Sequence, residues 1–214
     1  MAKKSFCNVG FIGCGHLMNA QHIQNAHKSN ICEVHTLCDI EPSALKSTAA
    51  KYPPKKTTAD YKTLLADPEV DLVVIAMHPK MHAQLTLEAL HMGKPVYVEK
   101  PLGVTVEEAL EVDRLAKKMG LQVAVGFNRR FAPAYLDVKP LLKKREGPLL
   151  IYYRIAYHVR NERPDTTLLH VECCHIFDIL TWLVEAEPVS IYATEGLRND
   201  NTVALKFADG TSCV

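Results

Sequence analysis

Four places in the 214-residue chain combine residue types and spacing that chemistry can use. The first is Val9-Gly10-Phe11-Ile12-Gly13-Cys14-Gly15-His16-Leu17-Met18, an apolar run broken by a Gly-x-Gly pair. A glycine turn between a strand and a helix lets backbone N–H groups approach a pyrophosphate at the helix N-terminus. Met18 takes the third fingerprint position, where Gly or Ala is usual. The second is Asp39, 24 residues after Gly15 and at the end of another apolar run. A carboxylate there can accept hydrogen bonds from both hydroxyls of an adenosine ribose. It would repel a 2′-phosphate, and no Arg follows in Ile40-Glu41-Pro42, so the expected cofactor is NAD rather than NADP. The third is Glu99-Lys100-Pro101, which places a lysine at the carboxyl end of a buried strand, the edge where open α/β sheets bind their ligands. Pro101 fixes a bent connection there and is compatible with a cis bond. The fourth is the run His170, Glu172, Cys173, Cys174 and His175. It is rich in metal-capable groups but lacks the spacing of a zinc motif, and adjacent cysteines splay on a helix, so no metal is expected.

These residues need a scaffold, and the pattern around them supplies one. Short Val/Ile-rich runs predict strands over Val9–Gly13, Glu33–Asp39, Asp71–Met77, Pro95–Glu99 and Gln122–Phe127. Between them, helices are predicted over Pro42–Tyr52, over Pro79–Met92, and along the stripe Val106, Ala109, Leu110, Ala116 and Met119, which Gly120 ends. Repeated βα units of this kind make a Rossmann-like, doubly wound parallel sheet, expected over residues 1–127. After Phe127 the pattern changes to a helix over Ala132–Lys144, a turn at Gly147-Pro148 and a strand over Leu149–Tyr157. A loop over Val159–Thr167, a helix over Leu168–Val184, and strands over Val189–Ala193 and Val203–Phe207 follow. The second region, 128–214, is expected to be an α+β substrate and oligomerisation domain with an open, mainly antiparallel sheet. Because the chain stops where a returning strand has only begun, at Thr211-Ser212-Cys213-Val214, that domain is expected to be incomplete.

Composition sets the outer limits. With 48% hydrophobic residues, 23% charged residues and a formal net charge of +1, the chain reads as an ordinary soluble globular protein. It has no field to attract a polyanion, so nucleic acid is not an expected partner. No apolar run approaches the roughly 18 residues a membrane span needs, and the start lacks a signal-peptide pattern, so the expected compartment is the cytoplasm. Seven cysteines, an odd number mostly within apolar runs, suit reduced packing residues.

Taken together, Gly13-Cys14-Gly15, Asp39, His82, Glu99-Lys100-Pro101, Gly126-Phe127-Asn128-Arg129-Arg130-Phe131 and Leu168–Asp178 with His175 give the chain a resemblance to the Gfo/Idh/MocA family of NAD(P)-dependent sugar and cyclitol oxidoreductases. The resemblance covers nearly all of the chain. It implies that Lys100 reaches the substrate hydroxyl and the nicotinamide end of the cofactor, that Glu99 contacts the nicotinamide ribose or orients the lysine, and that Asn128 and Arg129 lie near cofactor and substrate. His175 matches the histidine that acts on the reacting hydroxyl, and its near-neutral intrinsic pKa suits a general base. The implied cofactor-binding set is Gly13, Cys14, Gly15, His16, Leu17, Asp39, Met77, His78, His82, Glu99 and Asn128. The implied substrate set is Lys100, Arg129, Glu172 and His175, with Lys100 and His175 catalytic. Val171 stands where the family commonly has an Asp four residues before the histidine, and Met77-His78-Pro79 replaces the usual Thr-Pro-Asn. The implied activity is hydride transfer between NAD(H) and a secondary alcohol of a sugar, cyclitol or related polyol. The rival reading from another class is a dinucleotide-binding sensor without turnover. A homo-oligomer is expected if the natural second domain is complete.

Overall fold

A computed structural model of the chain describes residues 6–156, 173–195 and 201–214. It divides into two compact units, Met1–Gly126 and Phe127–Val214. In the first, six parallel strands, β1 (Cys7–Ile12), β2 (Cys32–Cys38), β3 (Lys56–Thr58), β4 (Leu72–Ile75), β5 (Val96–Val98) and β6 (Val123–Val125), lie in the order β3-β2-β1-β4-β5-β6. The order reverses between β1 and β4, and open sheets of this kind bind dinucleotides beyond the strand ends at that switch point.

Alternation along each strand builds a core on both faces of the sheet. Val9 and Phe11 of β1, Val34 and Leu37 of β2 and Val74 of β4 face one side with Met18 and Ile23. Ile12, Val73, Ile75, Val96 and Val98 face the other, against Leu64, Leu65, Leu85 and Ala89. Gly10 falls on this second face because a Cβ there would lie 2.8 Å from Leu64 Cδ2, so helix and strand approach more closely than any side chain allows. The covering helices are α1 (Gln24–Lys28), α2 (Pro42–Lys51), α3 (Tyr61–Ala66), α4 (Pro79–His91) and α5 (Val106–Met119). Thr105 and Glu108 form a reciprocal capping box on α5, and Gly120, at φ +64°, ends it.

Three differences from the sequence-based expectation stand out. Strand β3 and helix α3 fall in a stretch, 53–70, where periodicity predicts nothing, because β3 is a three-residue edge strand and α3 a six-residue helix. The segment after the glycine turn is not a plain α-helix, since Met18–Ile23 forms a π-helical turn that runs into α1. Of the strand expected over Leu149–Tyr157, the described residues form the two-residue β7 (Leu150–Ile151), in register with Ser212 and Cys213, with the Tyr153 N–H donating to the Val214 carbonyl at 2.8 Å beyond it; Tyr157 lies outside the described residues.

The second unit holds the 3-10 turn Asn128–Phe131, α6 (Pro133–Leu142), β7, α7 (Cys174–Val184), β8 (Pro188–Glu195), β9 (Asn201–Phe207) and β10 (Ser212–Cys213). Its mixed sheet runs β7-β10-β9-β8, with β7 and β10 parallel and the other pairs antiparallel. Helix α7 lays Leu180 and Val184 over Leu205, Phe207 and Cys213 to close this core. Residues 168–172 of the expected longer helix lie outside the described residues. No disulfide joins any of the seven cysteines, and no helix among the described residues is long and apolar enough to cross a membrane.

Candidate functional site

The carboxyl ends of β1 and β2 come together at Gly13 and Asp39. Gly13 has φ +98°, and a Cβ on it would lie 2.7 Å from Met77 Sδ and 2.9 Å from the Ala76 carbonyl oxygen, so only glycine fits between β1 and β4. Around Gly15, by contrast, a Cβ would meet nothing within 4 Å. That glycine faces open space, where a ligand can approach the backbone.

Asp39 is held by the turn it serves. Its Oδ2 accepts the Cys14 N–H at 2.6 Å and its Oδ1 the Glu41 N–H at 2.8 Å. A carboxylate has about four acceptor positions, so two remain for ribose hydroxyls. Burial, with the Asp39 charge adding to it, pushes the Cys14 thiol up to about 11, so this side chain stays protonated at neutral pH. Asn19, which sequence reasoning did not single out, donates from Nδ2 to the Cys14 carbonyl at 2.7 Å, the Gly15 carbonyl at 3.2 Å and Thr48 Oγ1 at 3.0 Å. It fixes the glycine turn from the helix side and ties it to α2.

Glu99 and Lys100 follow β5, at the same edge of the sheet. Glu99 is 8% exposed, its Oε1 lies 2.9 Å from His22 Nε2, and its Oε2 accepts the Lys100 N–H at 3.2 Å. Burial works to raise the Glu99 pKa, but the His22 hydrogen bond and charge, with the Lys100 N–H and charge, outweigh it and hold the carboxyl below its ordinary 4.5. His22 also rests against the Tyr97 ring at 5.2 Å. Gly126 gives this carboxylate room, since a Cβ there would lie 3.0 Å from Glu99 Oε1. His22 was not visible from sequence: it belongs to the π-helical turn, whose extra residue changes which side chains face the sheet, and such turns concentrate at functional sites.

His82 is 1% exposed, with Nδ1 2.7 Å from the Pro101 carbonyl oxygen and Nε2 3.0 Å from that of Met77. Burial pulls its pKa below the usual histidine value against the pull of the two carbonyls. It therefore braces the turn after β4 against the cis Lys100-Pro101 peptide rather than opening onto solvent. His78 caps α4 from outside, its Nδ1 accepting the Lys80 N–H at 3.4 Å. His16 and Leu17 are exposed, and Met77 is half-buried beside the glycine turn.

In the second unit, His175 lies in the first turn of α7, 7% exposed and edge-on to Phe127, with ring centroids 6.0 Å apart. One turn further along α7, Asp178 receives both Nε and Nη2 of Arg130, a two-pronged ion pair that fastens the helix to the Asn128–Phe131 turn. Arg129 Nη1 donates to Tyr153 Oη at 2.8 Å, and Tyr153 Oη lies 3.0 Å from Tyr135 Oη. Glu172 and Val171 lie outside the described residues.

Residues 7–127 match the model of an oxidoreductase family with an NAD-binding Rossmann fold, GFO_IDH_MocA. The chain belongs to this Gfo/Idh/MocA family. The Gfo/Idh/MocA chain is 32% identical, over 93% of its residues, to an inositol 2-dehydrogenase of Acidothermus cellulolyticus, and 34% identical, over 87%, to inositol 2-dehydrogenase 2 of Saccharopolyspora erythraea. It spans 60% and 56% of those relatives' lengths. Among solved structures, it superposes on a myo-inositol dehydrogenase of Lactobacillus casei in complex with NAD(H) and myo-inositol. That match has a TM-score of 0.87 and 24% identity over 97% of this chain and 66% of that one, a likeness in fold.

Proposed function

We propose that the chain carries the cofactor-binding part, and some of the substrate-binding part, of an enzyme that moves a hydride between NAD and a secondary alcohol of a cyclitol or sugar-like polyol. The observation that carries this reading is the convergence at one sheet edge of the Gly13 turn, the Asp39 carboxylate and the Glu99-Lys100 pair, with His22 linking the helix after the turn to Glu99. The names of the relatives support an inositol-like substrate.

The residues fit NAD. Asp39 would take the adenosine ribose with its spare lone pairs and would oppose a 2′-phosphate. The Cys14 amide is already engaged by Asp39, so the pyrophosphate falls to the amides of Gly15, His16 and Leu17 at the open helix N-terminus. When bound, the nicotinamide supplies the hydride acceptor. Lys100 would stabilise charge developing on the substrate oxygen, and Glu99 would hold the lysine's backbone in place. His175 would take the hydroxyl proton. Arg129 and Glu172 would contact the polyol, and Asn128 the cofactor. The exposed apolar residues Leu150, Tyr152, Val189 and Ile191 of the second unit support a homo-oligomer.

The test is fluorescence titration with NADH and NADPH on wild type and Asp39→Ala, followed by a panel of inositols and sugars monitored through NADH absorbance. NADH binding that weakens in Asp39→Ala, with turnover abolished in Lys100→Ala, supports the reading. Stoichiometric NADH binding without turnover on any polyol would shift it to a dinucleotide sensor, and no binding at all would leave the Gly13 turn a purely structural feature.

A further inference from the structure

Away from the cofactor edge, the first unit contains a cluster that the proposed reaction does not use. His35 lies in β2 with none of its side chain exposed, and its Nε2 makes no hydrogen bond among the described residues. The nearest acid to that nitrogen is Glu69, with Oε2 at 3.7 Å, and Asp67 Oδ2 lies 4.0 Å from Nδ1. Both exceed hydrogen-bond length. The other ring nitrogen, Nδ1, lies 2.9 Å from Thr36 Oγ1. If Nδ1 donates to that hydroxyl, Nε2 becomes a bare lone pair with the Glu69 carboxylate 3.7 Å away, while Asp67 lies toward the Nδ1 side of the ring. A buried lone pair beside two carboxylates is a donor set that a divalent cation can take.

The acids are set in place independently of any ion. Asp67 Oδ1 accepts the Glu69 N–H at 3.0 Å, which leaves Oδ2 turned toward His35. The backbone of the same loop is pinned by Lys94, whose Nζ donates to the Asp67 and Val70 carbonyls at 2.7 and 2.8 Å. One ligand atom from each of His35, Asp67 and Glu69 falls within 4.8 Å of the other two. First-row cations hold nitrogen and oxygen at about 2.0–2.2 Å, so tetrahedral ligands lie roughly 3.4 Å apart, close to the His35–Glu69 spacing. Lys56 Nζ occupies the acidic side, 2.8 Å from both Asp67 Oδ2 and Glu69 Oε2, but its side chain is 48% exposed and can swing into solvent.

We propose that His35, Asp67 and Glu69 bind a first-row divalent cation of the Mn2+/Zn2+ class, which displaces the Lys56 ammonium. One imidazole and two carboxylates, with solvent open for water ligands, suit such an ion. The site joins β2 to the loop between α3 and β4, and it lies roughly 13 Å along β2 from Asp39, four residues away. Its role is to lock the sheet's far edge, not to take part in hydride transfer. The proposal does not depend on the cofactor reading.

Mn2+ is the probe, because the seven cysteines would draw Zn2+ to thiolates elsewhere. Titration of the full chain followed by electron paramagnetic resonance should show one saturable Mn2+ site, with imidazole nitrogen coupling in pulsed spectra and a rise in melting temperature. Losing a direct ligand should cost at least the roughly 10–100-fold that outer-shell losses cost, so Glu69→Gln and Asp67→Asn should each weaken binding about tenfold or more. Lys56→Gln, which removes the competing ammonium, should tighten it. Glu69 is largely exposed, so Glu69→Gln is expected to fold, and circular dichroism checks that it has. Absence of saturable binding in both wild type and Lys56→Gln overturns the proposal. So does bound Mn2+ without nitrogen coupling, or an affinity unchanged in Glu69→Gln and Asp67→Asn.

Discussion

His22 Nε2 lies 2.9 Å from Glu99 Oε1, joining the helix that starts at the glycine turn to the strand end that carries Lys100. The two residues are 77 apart in sequence, and the contact is made where Glu99 is almost wholly buried. A buried carboxylate without a partner is costly, so His22 keeps Glu99 ionised as well as placed. In His22→Ala the burial that now works against ionisation is no longer opposed by the imidazole, and the variant should lose about 1–3 kcal/mol at neutral pH. The pH dependence separates this from simple loss of packing. With its folded pKa held below the ordinary 4.5, Glu99 contributes stability that is complete above that value and is lost as pH falls through the lower, folded value. In His22→Ala the folded pKa rises, so the gap between variant and wild type should narrow as pH drops from 7 toward about 4. Denaturant melts at a series of pH values check it; a gap independent of pH would mean His22 only fills space.

The two glycines of the turn should respond oppositely to alanine. Gly13→Ala places a Cβ within 2.9 Å of the Ala76 carbonyl at φ +98°, where a side chain is strained whatever the space around it. It should destabilise the fold by about 1–3 kcal/mol. Gly15→Ala meets nothing and should leave the melting temperature near wild type, while its methyl group stands where the pyrophosphate would approach and weakens NADH binding. Paired thermal melts and NADH titrations distinguish a residue needed for the turn from one needed for the ligand.

The parts of this architecture that could be read in the sequence are those whose signal is local. Val73, Val74 and Ile75 are apolar because both sheet faces are covered, and such a run declares a buried strand wherever it occurs. Lys56-Thr57-Thr58 forms a strand only because β2 offers an edge, and nothing in three polar residues announces that. Gly13, Asp39 and Lys100 stand out because their types are unusual at strand ends. Asn19 and His22 do not, since each matters through partners that folding brings to it: the Thr48 hydroxyl in one case, Glu99 in the other. The π-helical turn that presents His22 has no residue signature of its own, and the Leu149–Tyr157 pattern says which side chains face the core without saying how much of the segment finds a partner strand.

Asp39 combines two tasks, and a conservative substitution should separate them. It accepts N–H groups from Cys14 and Glu41, holding the turn, and it is the carboxylate proposed to meet the ribose. Asp39→Asn keeps the shape but presents an amide that has one acceptor oxygen instead of two. NADH affinity should fall about 10–100-fold, the equivalent of about 1–3 kcal/mol, while NADPH, no longer facing a negative charge, should lose less or gain. Comparing the two cofactors on the one variant makes the ratio the readout, which a general loosening of the turn would not change.

The Arg130–Asp178 pair holds the helix that carries His175, and it tests whether that helix must be aimed as well as folded. Asp178 is 7% exposed in its side chain and takes both prongs of the guanidinium, an arrangement a lysine cannot reproduce. Arg130→Lys keeps the charge but gives up one of the two hydrogen bonds. Because Arg130 is itself partly exposed, the stability cost should be modest, about 1 kcal/mol. His175 lies one helical turn before Asp178, so loosening this tether should misplace its imidazole relative to the hydroxyl it is proposed to deprotonate. The expected outcome is a kcat lowered by about tenfold or more with NADH affinity unchanged, measured on the most active polyol. An unchanged kcat with the same small loss of stability would show that α7 is positioned by its apolar face on Leu205 and Phe207 alone.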